Sequence, residues 1–441
     1  MDHAILVAAG TGIEEEKLSN HGETVFGSLP QIKRLVITAQ RAGIKNFTII
    51  TEKKDSPLKE LLSGDKRIES DISWRSLGTE TELGSSPCLI IQSNLVTTPG
   101  ALSNFMDSAT KPGEILVLVD TSRDAWVKTG GGDDVADLFS TGGRAVGAFI
   151  ASGKLLEKSI MDSMSIKTFV QELIGRDKVK YKEFSDTYWM RLSSEKESVK
   201  KAENMIFAHV GKTATGWISR SVNSKISLPT SRLLVKTPLT PNMISILINV
   251  IGVLCGVFYA IGYPVVGALC MQAATILDRC DGEVARVKLM ETKKGQWVDT
   301  ISDQVTVLSF LLGVPIGYYL ISKNPVAIIL GAFNISVFIF FVIWSFYFLA
   351  RYTDSGSLVA YFEVDKLVEE KNSSTIRRLI KFVRPMARRN FYSLGFLVVA
   401  IVGGYPWVLG FTSAALLLFL IHQLEDIIKI RKASPQENNL K

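Results

Sequence analysis

Residues 278–303 read DRCDGEVARVKLMETKKGQWVDTISD, a polar stretch set between two long uncharged runs. No charged residue occurs from 241 to 277, none from 304 to 322, none from 324 to 350 and none from 391 to 424. A bilayer crossing takes about 20 apolar residues. The first and last runs are therefore each long enough for two crossings, with a Gly-Tyr-Pro near the middle as the turn. Six spans are expected, at 243–262, 264–281, 299–322, 325–350, 391–407 and 409–429.

Residues 1–240 have the opposite character, with charges throughout. Their longest uncharged stretch, GSSPCLIIQSNLVTTPGALSNFM at 84–106, is rich in Ser, Pro, Asn and Thr and makes a poor crossing. The N-terminus opens as a buried strand, AILVAA, and not as a signal peptide. The 441-residue chain carries a formal charge of +7. The turns near 263 and 405 hold no charge, whereas segment 351–390 alone holds nine Lys and Arg. Basic residues stay on the cytoplasmic side. Both termini and the aspartates of 278–303 are thus expected there, at the cell membrane. Basic loops of this kind also attract anionic lipid. The four cysteines, at 88, 255, 270 and 280, form no metal-spacing pair, and in a reducing compartment they imply no disulfide.

The first half reads as alternating strands and helices. AILVAAGTG is a strand and glycine turn, and LPQIKRLVITAQRAGI a helix with apolar residues at 32, 35, 36 and 39. NFTIIT, PCLIIQ and ILVLVD are further strands, the last ending at Asp120. The alternation predicts a mostly parallel sheet with helices on both faces. Ligands of such sheets bind beyond the strands' carboxyl ends, where Gly10, Gly12 and Asp120 belong.

Four aspartates punctuate the quoted stretch. Asp278 and Asp281 are i and i+3, and Asp299 and Asp303 are i and i+4, so each pair shares one helical face. Such carboxylates cannot all stay ionised in a confined site without cations. Oxygen ligands with no His or Cys point to Mg²⁺, Mn²⁺ or Ca²⁺. Two such ions can clamp a diphosphate for in-line displacement at phosphorus. Gly282 allows close approach, and Arg286 offers a planar fork to phosphate oxygens.

The full spacing is D-x2-D-G-x2-A-R-x8-G-x3-D-x3-D, met at Asp278, Asp281, Gly282, Ala285, Arg286, Gly295, Asp299 and Asp303. It resembles, without gap or mismatch, the signature of the CDP-alcohol phosphotransferases, and the likeness covers roughly residues 215–430. The resemblance implies an all-α membrane domain of six helices, Mg²⁺ or Mn²⁺ (two ions), a CDP-alcohol donor, an alcohol or polyol-phosphate acceptor, a homodimer among membrane lipids, and no nucleic-acid partner. It also implies that Asp278, Asp281, Asp299 and Asp303 ligate metal, with Asp303 also the base for the acceptor hydroxyl. Gly282, Arg286 and Thr292 would contact the CDP moiety, as would Asn242 and Ser245 in TPNMIS. The Thr-Pro-Asn there is also a good helix start. Arg351, Arg388 and Arg389 lie where family members with phosphorylated acceptors carry a basic pocket. They would otherwise serve as interface anchors.

Residues 1–200 resemble the nucleotidyltransferase fold of sugar-nucleotide pyrophosphorylases and cytidylyltransferases, on Ala8-Ala9-Gly10-Thr11-Gly12 and Asp120. Those enzymes hold the triphosphate with a basic residue after the loop and a Lys after a Pro. Here the loop continues Ile13-Glu14-Glu15-Glu16, and Gln31 follows Pro30. Each close like-charge pair costs on the order of 1 kcal/mol or more at partly exposed distances. The domain therefore reads as a degenerate look-alike, and a helix through Lys33 would turn that side chain away from the position of Gln31. Residues 201–240 are a linker with an interfacial helix in GWISRSVNSKISLPTSRLLVK, 241–432 the membrane domain and 433–441 a polar tail. The arrangement resembles inositol-phosphate cytidylyltransferase fusions and makes CDP-diacylglycerol-type lipid or CDP-inositol the donor and inositol phosphate the acceptor. Two alternatives stand beside it. One is a bifunctional enzyme that makes its own CDP-alcohol. The other is a cation transporter, disfavoured because no acid lies at mid-membrane.

Overall fold

The structure, a computed structural model, describes residues 1–9, 21–53, 56–78, 86–108, 114–121, 144–152, 154–155, 157, 178–183, 188–193, 195–212, 223–352 and 389–433. Two compact units divide the chain, Met1–Val210 and Gly211–Lys441.

The first unit is built on a seven-stranded sheet. Its elements are β1 (His3–Val7), β2 (Val25–Phe26), β3 (Leu29–Pro30), α1 (Gln31–Arg41), β4 (Asn46–Thr51), α2 (Leu58–Leu62), β5 (Asp71–Ser76), β6 (Pro87–Gln92), β7 (Leu95–Val96), α3 (Pro99–Met106), β8 (Ile115–Asp120), β9 (Arg144–Ser152), β10 (Val179–Glu183), β11 (Met190–Arg191) and α4 (Lys196–Lys212). The sheet order is β10-β8-β9-β6-β1-β4-β5. All neighbours are parallel except β9, which runs antiparallel to both β6 and β8. Period-2 alternation sends the side chains of β1 to two cores. Ala4, Leu6 and Ala8 meet Ile32, Leu35 and Val36 of α1 on one face, and Ile5 and Val7 meet Val117 and Phe149 on the other.

The polar residues singled out in this unit are already engaged. Asp120 is buried at the end of β8, and its Oδ2 accepts from the Trp189 indole at 2.6 Å. Gln31 is buried at the start of α1, with Nε2 donating to Leu95 O at 2.5 Å. Lys33 points elsewhere and pairs with Asp65 at 3.0 Å, beside Arg67 at 2.6 Å. Gly10, Gly12 and Glu14–Glu16 lie outside the described residues.

The second unit is helical: α5 (Ser224–Val235), α6 (Pro241–Ala260), α7 (Pro264–Leu277), α8 (Arg279–Val287), α9 (Lys293–Ser322), α10 (Val326–Tyr352), α11 (Arg389–Val402) and α12 (Tyr405–Ala433). Among the described residues, three helices are long and apolar enough to cross a membrane, Pro241–Ala260, Lys293–Ser322 and Val326–Arg351; Phe391–Val402 and Tyr405–Ile421 are shorter apolar helices. Ile246, Leu247 and Val250 of α6 are each more than half exposed, an apolar outer face suited to lipid. Both expected turns hold, with positive φ at Gly262 and Gly404.

Several helix boundaries differ from those expected: the fifth expected span ends at 407 and the sixth starts at 409, but α11 ends at Val402 and α12 starts at Tyr405. The second span was drawn to 281, but the apolar helix α7 stops at Leu277 and a polar helix, α8, takes over after Asp278. The third was drawn from 299, but α9 starts at Lys293, where the Thr292 side chain accepts from Gly295 N and caps the helix. Hydropathy marks where a helix enters lipid, whereas the cap marks where its hydrogen bonds begin.

α6 and α9 pack almost backbone to backbone. A Cβ added at Gly256 would collide with Ser309 O, one at Gly313 with Gly256 O, and one at Gly317 with Tyr259 O. Small residues spaced by four permit such an approach in membranes. Gly313→Val is expected to force the two helices apart, costing about 3 kcal/mol or more. The expected signs are a lowered thermal midpoint and loss of a monodisperse peak in detergent. A parental midpoint would show that the contact is dispensable.

Candidate active site

Three helix ends and one helix flank converge on the aspartates. α6 begins at Pro241, with the Thr240 side chain accepting from Met243 N at 3.4 Å. This start sets Ser245 one turn in, where its hydroxyl donates to Asp281 Oδ2 in a short contact. Asp281 is 6% exposed, and its Oδ1 also accepts from Gly282 N at 2.5 Å. Asp278 caps the junction of α7 and α8, and Asp299 and Asp303 follow one turn apart on α9.

The structure brings Asp278, Asp299 and Asp303 together: one carboxylate oxygen from each lies within 4.8 Å of the others. Asp281 stands beside this trio, facing Asp299. Three partly exposed hard oxygen donors at this separation fit a small divalent cation with open coordination positions. Arg389, at the start of α11, reaches into the same cluster. Its Nη1 donates to Asp278 Oδ1 at 3.0 Å and to Asp303 Oδ1 in a closer contact. Ser393, one turn further along α11, donates to Gln272 of α7 at 2.8 Å and fixes that helix beside the site.

The residues expected to meet a nucleotide gather on the other flank. The Arg286 guanidinium lies over Gly282, 3.5 Å from where a Cβ would sit. Its Nε is buried and has no hydrogen-bond partner among the described residues, which leaves that donor for an acceptor outside them. Asn242 Oδ1 and Thr292 Oγ1 close on Gly295, 3.5 and 3.2 Å from its missing Cβ. Bare backbone thus lies beside Arg286 at Gly282, and beside Asn242 and Thr292 at Gly295. Of the other two basic candidates, Arg351 is exposed in the last turn of α10 and makes no ion pair with the aspartates among the described residues. Arg388 lies outside the described residues.

One group at the site was not anticipated. Glu283, with no exposed surface, accepts from Ser227 at 2.8 Å, Ser231 at 2.7 Å and Arg279 at 3.1 Å. Lys288 donates to the carbonyls of Thr237 and Leu239 at 2.7 and 3.0 Å. The signal available in sequence was a carboxylate at the centre of an otherwise apolar stripe, Cys280, Val284 and Val287.

Residues 238–360 match the family model described as CDP-alcohol phosphatidyltransferase. The chain is 25% identical over 332 residues to a "Bifunctional IPC transferase and DIPP synthase" of Thermococcus kodakarensis, covering 70% of this chain and 74% of that protein. The second unit alone is too short to supply that share, so the likeness extends into the first. A protein of the same description from Archaeoglobus fulgidus is 34% identical over 131 residues, 30% of this chain and 26% of the relative. Among solved structures, the inositol-1-phosphate CTP transferase from T. maritima aligns with 46% of this chain and 96% of its own, at 16% identity and a TM-score of 0.35.

Proposed function

We propose, for a chain whose residues 238–360 match the CDP-alcohol phosphatidyltransferase family model, a polytopic membrane transferase that moves a phosphoalcohol unit from a CDP-alcohol to a second alcohol. CMP is released. The acceptor hydroxyl oxygen attacks the phosphorus that bears the alcohol. The bond from that phosphorus to the bridging oxygen breaks, CMP leaves with that oxygen, and the hydroxyl proton passes to Asp303. Asp278, Asp281, Asp299 and Asp303 would hold the metal. Asn242, Ser245, Gly282, Arg286 and Thr292 would seat the nucleotide. A bound Mg²⁺ or Mn²⁺ would neutralise the diphosphate and stabilise charge on the equatorial oxygens. Arg389, which pairs with Asp278 and Asp303, would meet an acceptor phosphate. The reading takes six crossings, with the aspartates and both termini cytoplasmic, and a homodimer.

The observation that carries it is the convergence of Asp278, Asp299 and Asp303 within 4.8 Å, beside an Arg286 whose Nε awaits an acceptor. The donor and acceptor proposed here come from the sequence likeness to inositol-phosphate cytidylyltransferase fusions: CDP-inositol or a CDP-diacylglycerol-type lipid as donor, and an alcohol such as inositol phosphate as acceptor. The deciding experiment is CMP release by purified protein from a panel of CDP-alcohols and acceptors. No CMP from any pair would overturn the reading.

A second reading has its own support. The relatives are described as bifunctional, and the Thermococcus likeness runs into the first unit. The first unit would then make the CDP-alcohol. Against it stand Gln31, held on Leu95 O, and Asp120, held on Trp189. The full-length protein, given CTP and inositol phosphate or another polyol phosphate, is expected to release no pyrophosphate above background. Steady release would establish the bifunctional reading.

A further inference from the structure

α8 carries two stripes. Asp281, Gly282 and Ala285 recur at helical spacing with Asp278 just before the helix, and Asp278 and Asp281 belong to the aspartate cluster. Cys280, Glu283, Val284 and Val287 form the second stripe, with no exposed surface, and α5 packs against this helix. α5 meets it with hydroxyls. Its buried face is Ser224, Ser227, Ser231 and Val235, while Ile226 and Leu233 are exposed at 48% and 68%. Ser227 and Ser231, one turn apart, each donate to a different oxygen of Glu283, and Arg279 is the third donor residue, with Nη2 and Nε both reaching Oε1 at 3.1 and 3.3 Å. The Cys280 thiol donates to Ser227 O at 3.7 Å in the same seam.

A carboxylate removed from water keeps its place only where directional hydrogen bonds replace the water. Apolar packing alone leaves a helix some freedom to roll. A roll of about 20° moves an atom roughly 5 Å from the axis by about 2 Å. A catalytic constellation tolerates only about 0.5 Å. Three donors on one carboxylate remove that freedom.

We infer that Glu283, clamped by Ser227 and Ser231, is a positioning residue that fixes the roll of α8 and thereby the aim of Asp281, Gly282 and Arg286. The inference rests on the transferase reading above. It makes α5 a working part of the site, because Asp281 is built on the helix that α5 locks.

The test uses full-length protein in detergent micelles, with Mn²⁺ titrated by electron paramagnetic resonance and kcat and KM for the CDP-alcohol measured in parallel. Three variants are compared with the parent: Glu283→Leu, which keeps bulk and removes the acceptors; Ser227→Ala with Ser231→Ala, which cuts the clamp from α5; and Glu283→Gln, which retains one acceptor oxygen. Glu283→Leu and the serine pair are expected to weaken Mn²⁺ binding about tenfold, as loss of an outer-shell partner does, and to raise donor KM. Glu283→Gln is expected to recover most of both. A merely structural role would lower the thermal midpoint and leave Mn²⁺ affinity and KM of the folded protein at parental values, which would overturn the clamp. Should Glu283→Leu fail to fold, the serine pair decides by the same readout. A parent that binds no Mn²⁺ would overturn the transferase reading itself, a result distinct from variants that bind it normally.

Discussion

Asp303→Asn is expected to bind Mn²⁺ and CDP-alcohol nearly as the parent does and to turn over about 10² to 10⁴ times more slowly, the usual cost of losing a general base. An amide oxygen can still accept from Arg389 and ligate weakly, but it cannot take a proton from an alcohol. Position motivates the assignment. Asp303 lies one turn deeper along α9 than Asp299, further from the helix start at Thr292 and Gly295. Its side chain remains 32% exposed and open to an entering acceptor. Asp278→Asn is expected to behave differently. Asp278, at the α7–α8 junction, is proposed to ligate metal and to have no proton-transfer role, so its loss should weaken metal binding first and slow turnover as a consequence. Mn²⁺ titration and single-turnover kinetics on both variants separate the two roles. The base assignment fails if Asp303→Asn turns over at the parental rate, or if it loses Mn²⁺ as severely as Asp278→Asn.

The division of the chain into a sheet-forming part and an apolar helical part was legible because it rests on periodicity and hydropathy, which are local. β4, β6 and β8 fall on the residues expected for them, and α1 buries Ile32, Leu35, Val36 and Ala39 as its spacing required. The aspartates were legible because their spacing is also local, within 26 residues of one another. What could not be read were partners distant in sequence. Glu283 carries no sequence signal of its partners, because its serines lie 56 and 52 positions away. Arg389 read as a phosphate ligand or a membrane anchor. Its ion pairs with Asp278 and Asp303 span 111 and 86 positions, and no pattern within a helix foreshadows them. Asp120 was expected at an open strand end, yet the indole of Trp189, 69 residues on, closes over it. An interfacial helix in 216–236 implies that its apolar face does the packing, whereas the face of α5 that packs is the serine face, because the surface opposite it is a carboxylate. Polar complementarity between two helices leaves no hydropathy signal in either.

Chelation should abolish turnover, and readdition of Mg²⁺ or Mn²⁺ should restore it. The argument is electrostatic. Asp278, Asp299 and Asp303 crowd within 4.8 Å, with Asp281 adjacent, and Arg389 contributes a single positive charge against them. A CDP-alcohol adds the two charges of its diphosphate to the same space. Like charges 4 Å apart repel by about 1 kcal/mol in bulk water and about 4 kcal/mol at the effective dielectric of a protein surface. Several such pairs exceed what Arg286 and Arg389 can offset. Donor binding itself should therefore weaken at least about 100-fold in excess chelator, roughly 2.7 kcal/mol, before any effect on chemistry is considered. Calorimetric titration of CDP-alcohol with and without chelator reads the binding effect, and CMP release reads turnover. Protein that turns over fully in chelator would end the metal-dependent mechanism. Donor affinity unchanged by chelator, with turnover lost, would instead place the metal's contribution in the chemical step and leave Arg286 to hold the diphosphate alone.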